Sequence, residues 1–171
     1  FYMENENTNK PNLTEKINFF VKEKKKLIIF LISIIVFTVF IFIGYNYLQN
    51  KKNEEISEKF IKAGLYLSSE DLENSKQLYQ EIIKSKNKFY SPLALNEMIE
   101  NNLEKNNLII LDFFKIVEKI KLDKEQSDLI KLKKALFLFK ISQSDEGKKI
   151  LEEIVKNNSI WKETALEILN K

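Results

Sequence analysis

The run LIIFLISIIVFTVFIFIGYNYLQN, Leu27–Asn50, contains 24 consecutive uncharged residues and decides how the rest of the chain is organised. Ser33 and Thr38 are its only polar residues before Gly44. A helix needs about 20 mainly apolar residues to cross roughly 30 Å of hydrocarbon. A lysine near the centre would cost about 2.5–3.5 kcal/mol, and none is present. We therefore expect a transmembrane helix over residues 27–48.

Two other structures are compatible with an apolar run near an N-terminus. A buried core helix is one, but a domain of about 120 residues seldom buries a helix that is apolar on every face. A cleaved signal peptide is the other, with an apolar region of about 7–15 residues that ends at small residues. This run is longer and ends in Gly44-Tyr45-Asn46-Tyr47, without a small-residue cleavage site. The pattern favours an uncleaved signal anchor.

The flanking lysines indicate the orientation of this anchor, because the cytoplasmic side of a span carries the excess of positive charge. The lysines before the run are Lys22, Lys24, Lys25 and Lys26, and those directly after it are Lys51 and Lys52. We expect residues 1–26 to form a polar cytoplasmic tail, helical from Leu13 onward, with Met3 as the true start. Residues 49–171 are expected across the membrane, with Tyr45 and Tyr47 in the aromatic belt of the far interface.

The composition excludes several kinds of active site. The chain has no Cys and no His, and all 28 of its basic residues are lysines. Without Cys there is no disulfide or thiolate metal site, and without His there is no imidazole base. Without Arg there is no arginine finger. We expect no catalytic, cofactor-binding or metal site.

The charge balance argues against nucleic acid as a partner. Residues 51–171 carry 22 lysines against 21 acidic residues, which leaves a net charge of +1. A nucleic-acid-binding domain normally has a basic patch or stripe. We expect neither a nucleic acid nor a small-molecule substrate.

The chain beyond the anchor has the pattern of an all-α protein. Apolar residues recur three and four positions apart, and caps or breaks such as Ser91-Pro92 follow one another at the length of one short helix. One apolar series combines Leu129, Leu132, Leu136 and Phe139. The predicted helices lie near 54–68, 71–85, 91–104, 107–121, 124–141, 145–156 and 159–170.

Small residues recur in a way that suggests stacked helical hairpins. Ala63 and Ser75 are 12 residues apart in the first pair of predicted helices, and Ala135 and Gly147 are 12 apart in the third. Ser75 and Gly147 are 72 residues apart, which is twice a helix pair of about 36, and tetratricopeptide repeats have a period of 34. The middle pair has Met98 and Ile110 at the matching positions. We expect a tetratricopeptide-like solenoid, with an irregular helical bundle as the alternative.

Three aromatic residues are candidates for a partner surface. Phe89 and Tyr90 precede Ser91-Pro92, where they would either grip a ligand or pack the join between hairpins as a hydrophobic staple. Trp161, the single Trp, lies on the last predicted helix, where it would pack in the core or be exposed for a partner.

The chain resembles the bacterial YfgM-type family, the tetratricopeptide-like ancillary subunits of the Sec translocon. The likeness lies in the layout: a short tail, Phe19-Phe20-Val21-Lys22, one apolar span, the exit Gly44-Tyr45-Asn46-Tyr47-Leu48-Gln49, and then degenerate repeats. The resemblance implies a bacterial inner-membrane protein whose periplasmic domain meets translocon subunits, periplasmic chaperones or exported clients. It carries over no catalytic residue. The abrupt end at Asn170-Lys171 suggests a truncated C-terminus.

Two other functions remain open from the sequence. The first is a structural single-span stalk, or an assembly or division scaffold, which would need long uninterrupted heptads. Here breaks come every 12–17 residues. The second is an enzyme whose acid–base groups would be acidic residues.

Overall fold

The computed structural model describes residues 13–170, and in this part of the chain every regular element is a helix. The tail before residue 13, with the predicted start at Met3, lies outside the described residues, as does Lys171. The helices are α1 Leu13–Glu23, α2 Lys25–Ser68, α3 Leu72–Lys84, α4 Tyr90–Glu100, α5 Asn107–Glu118, α6 Lys124–Lys140, α7 Ser144–Lys156 and α8 Lys162–Leu169. The all-α prediction is confirmed. The chain divides into two compact units at Asn50/Lys51.

The long helix α2 contains both the apolar run and the segment that we expected as a separate helix near 54–68. The expectation of two helices is wrong because nothing between Leu48 and Glu54 stops a helix. That stretch has no Pro or Gly and no residue in a left-handed conformation.

The apolar part of α2 has the properties of a membrane span. Among residues 13–170, α2 is the one helix long and apolar enough to cross a membrane, with a mean hydropathy of 3.2 over its most apolar window. Residues 27–48 would extend about 33 Å as a helix. The hydroxyls of Ser33 and Thr38 donate to carbonyls of their own helix, at 2.8 Å to Phe30 and 2.7 Å to Ile35. Ser33 and Thr38, the two polar residues of the apolar run before Gly44, therefore satisfy their hydroxyls within the helix.

The unit that begins at Lys51 has two apolar clusters. The larger one joins the end of α2 to α3, α4, α5 and part of α6, and the smaller one joins α6, α7 and α8. Helix α5 is buried over a wide arc, at Ile110, Phe113, Phe114 and Val117, and it contacts α3, α4 and α6. Phe114 of α5 packs against Phe137 of α6, with ring centroids 5.9 Å apart.

Three of the described helices begin after a residue whose side chain caps them. Asp71, Asn106 and Asp123 each precede a helix and accept a hydrogen bond from a backbone N–H of its first turn. Ser91-Pro92 differs from the prediction, since α4 already begins at Tyr90. Ser91 is buried, and its hydroxyl donates to the carbonyl of Ile82 at 2.7 Å.

Five helices end in a residue with positive φ, and none of these residues is Gly. They are Glu70, Lys86, Asn102, Ser142 and Asn158. At the end of α2, Glu70 N–H donates to the Leu67 carbonyl and Asp71 N–H to the Tyr66 carbonyl, which is a Schellman motif. The chain accepts left-handed strain at positions where helices usually have Gly.

The first hairpin consists of the end of α2 together with α3, and the third consists of α6 and α7. These two hairpins share structural features at a constant offset of 72 residues. In both hairpins an ion pair joins the two helices, a small residue is buried on each helix, and left-handed residues end the helices. The matching residues are Lys59 and Lys131, Ala63 and Ala135, Glu70 and Ser142, Ser75 and Gly147, Glu81 and Glu153, and Lys86 and Asn158.

The small residues mark where helices approach most closely. A Cβ on Gly147 would lie 3.1 Å from the carbonyl oxygen of Ala135 and 3.2 Å from the Phe139 ring. Among α3–α8, the pair α6–α7 makes the most extensive contact, whereas α4 and α5 meet over a short stretch. Met98 and Ile110, both buried, are the large residues of that middle pair. At Gly147 the absence of a side chain therefore permits the close approach of α7 to α6.

Candidate functional site

The carboxylates with a shifted pKa join helices and loops to one another. Lys59 Nζ donates to Glu81 at 2.9 Å, and this hydrogen bond lowers the pKa of the Glu81 carboxyl. The pKa of Glu104 is lowered first by a hydrogen bond from the Asn106 backbone N–H and also by Lys76, 3.0 Å away. Among the described residues, no group of three or more acidic side chains is placed to hold a metal ion.

The aromatic pair before α4 divides into a structural residue and an exposed one. The Tyr90 hydroxyl donates to Ser57 at 2.8 Å, and its ring packs 5.5 Å from the Phe60 ring. Tyr90 therefore joins α4 to α2. Phe89 packs edge-on against Tyr90 but remains 64% exposed. Of the two, Phe89 is the one available to a partner.

Trp161 lies at the join between α6 and α8. Its indole N–H donates to the carbonyl of Glu125 at 3.2 Å, and its ring packs on the smaller apolar cluster. The side chain is half-buried. This position favours a packing role for Trp161 over an exposed partner surface.

The residues predicted to set the membrane topology lie at the two ends of the apolar run. Lys22, Lys24, Lys25 and Lys26 are all exposed, and Lys24 lies 3.6 Å from Glu23. Tyr45 and Tyr47 are exposed on α2, and a Cβ on Gly44 would meet no atom within 4 Å. Gly44 is therefore not required by packing within the chain.

Two clefts lie between α4 and α6, and we call them together the α4–α6 groove. Their volumes are about 160 and 260 Å³. The first is lined by Lys88, Phe89, Pro92, Leu93, Leu122, Gln126, Leu129 and Ile130, and the second by Asn96, Ile99, Glu100, Lys133, Leu136, Phe137 and Lys140. The beginnings of both helices meet in the first cleft and their ends in the second, so α4 and α6 run in the same direction.

Apolar side chains and lysines alternate along this groove. Phe89, Leu93 and Leu136 are 64%, 40% and 46% exposed. Lys133 Nζ donates to the side-chain oxygen of Asn96 and so connects the two helices. The surface offers apolar contact, cationic groups and an amide to a partner, which suits a protein segment.

Sequence reasoning identified Phe89 but missed the rest of the groove. Leu129, Leu132, Leu136 and Phe139 form one apolar series in the sequence, whereas in the structure Leu132 is buried, Leu136 is exposed and Leu129 lines the first cleft. Helix α6 has 17 residues, and its side chains contribute to both apolar clusters, so the helix packs on more than one face. A single apolar period cannot separate two such faces, and the recurrence of leucines on α4 and α6 is the only sequence signal for the groove.

No protein-family model, no curated protein and no solved structure matches this chain.

Proposed function

We propose that this protein is a membrane-anchored protein-interaction module, in which a tetratricopeptide-like helical domain binds segments of other proteins in the α4–α6 groove. The exposed apolar lining of that groove is the observation that carries the proposal. A binding role, rather than an enzymatic one, agrees with the use of its pKa-shifted carboxylates in ion pairs between elements.

The repeat architecture is supported by contacts between alternate helices. Side-chain hydrogen bonds join α2 to α4, α4 to α6, and α6 to the beginning of α8 at similar sequence separations. They connect Ser57 to Tyr90, Asn96 to Lys133 and Glu125 to Trp161, which are 33, 37 and 36 residues apart. Stacked helical hairpins with a period of 34–36 would make contacts at this spacing. The offset of 72 residues between the first and third hairpins supports the same architecture.

The proposed location is a bacterial inner membrane, with the N-terminus in the cytoplasm and the helical domain in the periplasm. The apolar part of α2 supports the span. The lysines Lys22, Lys24, Lys25 and Lys26 support the orientation because cytoplasmic flanks carry more positive charge. The chain has no natural Cys, so a Cys introduced at exposed Lys149 is a unique reporter. Labelling of intact cells or spheroplasts by a membrane-impermeant maleimide supports this orientation. Labelling only after lysis indicates the opposite orientation, with the helical domain in the cytoplasm.

The proposed partners are translocon subunits, periplasmic chaperones or exported clients. This part of the proposal depends on the likeness of layout to the YfgM-type family. A photo-crosslinking residue at Leu93, in native membranes, tests it. The control is Leu108, which is the same residue type and is more exposed, at 68% against 40% for Leu93, but lies on α5 outside the groove. Crosslinks to these partners from Leu93 and not from Leu108 are expected. If the Leu93 crosslinks contain none of these partners, the proposal is contradicted.

A structural stalk is the second candidate, favoured by the 44-residue length of α2. Against it, no helix from α3 to α8 exceeds 17 residues. Small-angle scattering distinguishes the two, since a stalk gives the profile of a rod and a short solenoid does not.

A further inference from the structure

We propose that the α4–α6 groove selects acidic, amphipathic protein segments, in which leucine-like side chains are flanked by carboxylates. This inference rests on the proposed function and names the chemistry of the segment bound. The observation behind it is the distribution of charge inside the groove, which differs from that of the unit as a whole.

The groove lining is cationic although the unit is nearly neutral. Lysines and acidic residues are almost equal in number over residues 51–171, at 22 and 21. The groove lining has three lysines and one acidic residue, Glu100. The lysines are Lys88, Lys133 and Lys140. None of these three is in an ion pair with a carboxylate of the described chain.

The positions of these lysines follow the length of the groove. Lys88 precedes α4 beside the first cleft, Lys140 is the last residue of α6 in the second cleft, and Lys133 lies between them on α6. Elsewhere in the unit, lysines such as Lys59, Lys76 and Lys134 are paired with glutamates. A partner with carboxylates along its length would form ion pairs with the groove lysines, as glutamates of the chain do with lysines elsewhere in the unit.

The apolar contacts set the spacing of the segment. Leu129 in the first cleft and Leu136 in the second are seven residues apart on one helix, which corresponds to about 10 Å. Two side chains of a bound segment reach both clefts when they are three residues apart in an extended polyproline II conformation, which has three residues per turn and a rise of about 3.1 Å per residue. The segment proposed is therefore a short extended one, with two leucine-like residues at that spacing and carboxylates on either side.

The experiment measures fluorescence anisotropy of labelled peptides on the full chain in phosphatidylcholine nanodiscs, which carry no net charge. The probe has two leucines three residues apart, surrounded by glutamates. One matched peptide has lysine in place of each glutamate, and another has alanine in place of each leucine. The acidic leucine peptide is expected to bind at least about tenfold more tightly than the other two, and less tightly as salt is raised.

Charge reversal locates the binding. The double variant Lys88→Glu/Lys140→Glu changes exposed, unpaired side chains, so the fold is expected to persist, as circular dichroism verifies. It should lower the affinity for the acidic peptide at least about tenfold. The control Lys105→Glu/Lys149→Glu makes the same charge change at exposed positions outside the groove and should alter it by less than about twofold.

Three results overturn the inference. They are equal affinity for the acidic and basic peptides, equal effects of the two double variants, and no binding of any peptide. The first leaves the proposed function intact, since the groove would still bind segments. Loss of the proposed function would appear instead in the crosslinks from Leu93 described above.

Discussion

Gly147 of α7 faces the backbone carbonyl of Ala135 on α6, so closely that a Cβ on Gly147 would lie 3.1 Å from that oxygen. Backbone cannot yield as a flexible side chain does, and the Phe139 ring closes the same space. The third hairpin therefore owes the closeness of its two helices to the absence of a side chain at this position.

Replacing Gly147 by Val should lower the free energy of unfolding by about 2 kcal/mol, because overpacking forces the two helices apart. Gly64→Ala is the matched control, since a Cβ there would meet its nearest atom, the Tyr79 hydroxyl oxygen, at 3.8 Å. That variant should gain up to about 1 kcal/mol from helix propensity. Thermal unfolding of both variants measures the difference. Equal effects of the two changes would contradict the close approach at Gly147.

Replacing two buried serines by Ala should change the free energy of unfolding in opposite directions. Ser75 lies on α3 and Ser91 on α4. Ser75 Oγ is buried without a hydrogen-bond partner, so Ser75→Ala should stabilise the protein by about 1 kcal/mol. Ser91 Oγ donates to the Ile82 carbonyl, so Ser91→Ala should destabilise it by a similar amount, about 1 kcal/mol. Urea unfolding followed by circular dichroism tests the pair. Two changes of the same sign would mean that the hydroxyl contacts do not decide the outcome.

Glycine at the left-handed helix ends should stabilise the chain. Glu70→Gly and Ser142→Gly remove a Cβ from residues with φ of 62° and 64°, and each should raise stability by about 1 kcal/mol. The control is Lys119→Gly, at a helix end whose φ is −81°. Glycine there should destabilise by a few tenths of a kcal/mol to about 1 kcal/mol, because it only adds freedom to the unfolded chain. Melting temperatures that fall for all three variants would rule out relief of strain.

Stability should fall in acid partly through Glu104. Its pKa is lowered in the folded protein, so the stabilisation is present above the unfolded value of about 4.3 and is lost as the pH falls towards the folded pKa. The side chain is only 8% exposed, and Glu104→Gln should cost about 1 kcal/mol at pH 7. The difference from the parent should shrink between pH 5 and the acid limit.

The control for this pH dependence is Glu152→Gln, a change at an exposed residue that is in none of the ion pairs described above. Its unfolding curves should follow those of the parent across the pH range. A Glu104→Gln deficit that stays constant into acid would show that the carboxylate charge is not responsible.

The apolar run and the positions of most helices follow from the sequence because they depend on local signals. Asp71, Asn106 and Asp123 mark helix starts by their capping chemistry, and α3, α5 and α6 begin within one residue of them. The left-handed ends at Glu70 and Ser142 were not predictable in the same way. They lack the glycine that normally marks such an end.

The groove was largely invisible in the sequence for a different reason. Leu132 and Leu136 have the same chemistry and lie one helical turn apart, yet one is buried and the other is exposed. Which of the two faces α7 depends on the rotation of α6 about its own axis. This rotation is set by contacts with residues of other helices, such as Gly147 and Phe114. These contacts are between helices, so the pattern of one helix does not determine them.

The hydrogen bonds between alternate helices have a consequence for how the chain folds as it is synthesised. Of the side-chain hydrogen bonds described above, the one between Asn96 and Lys133 has the largest sequence separation, 37 positions. Contacts of such short range give a low contact order, and low contact order accompanies rapid folding. As the chain emerges with its N-terminus first, each new helix can contact its partner helix once about one further hairpin has been made. We expect this domain to assemble progressively, helix by helix, without waiting for its last residue.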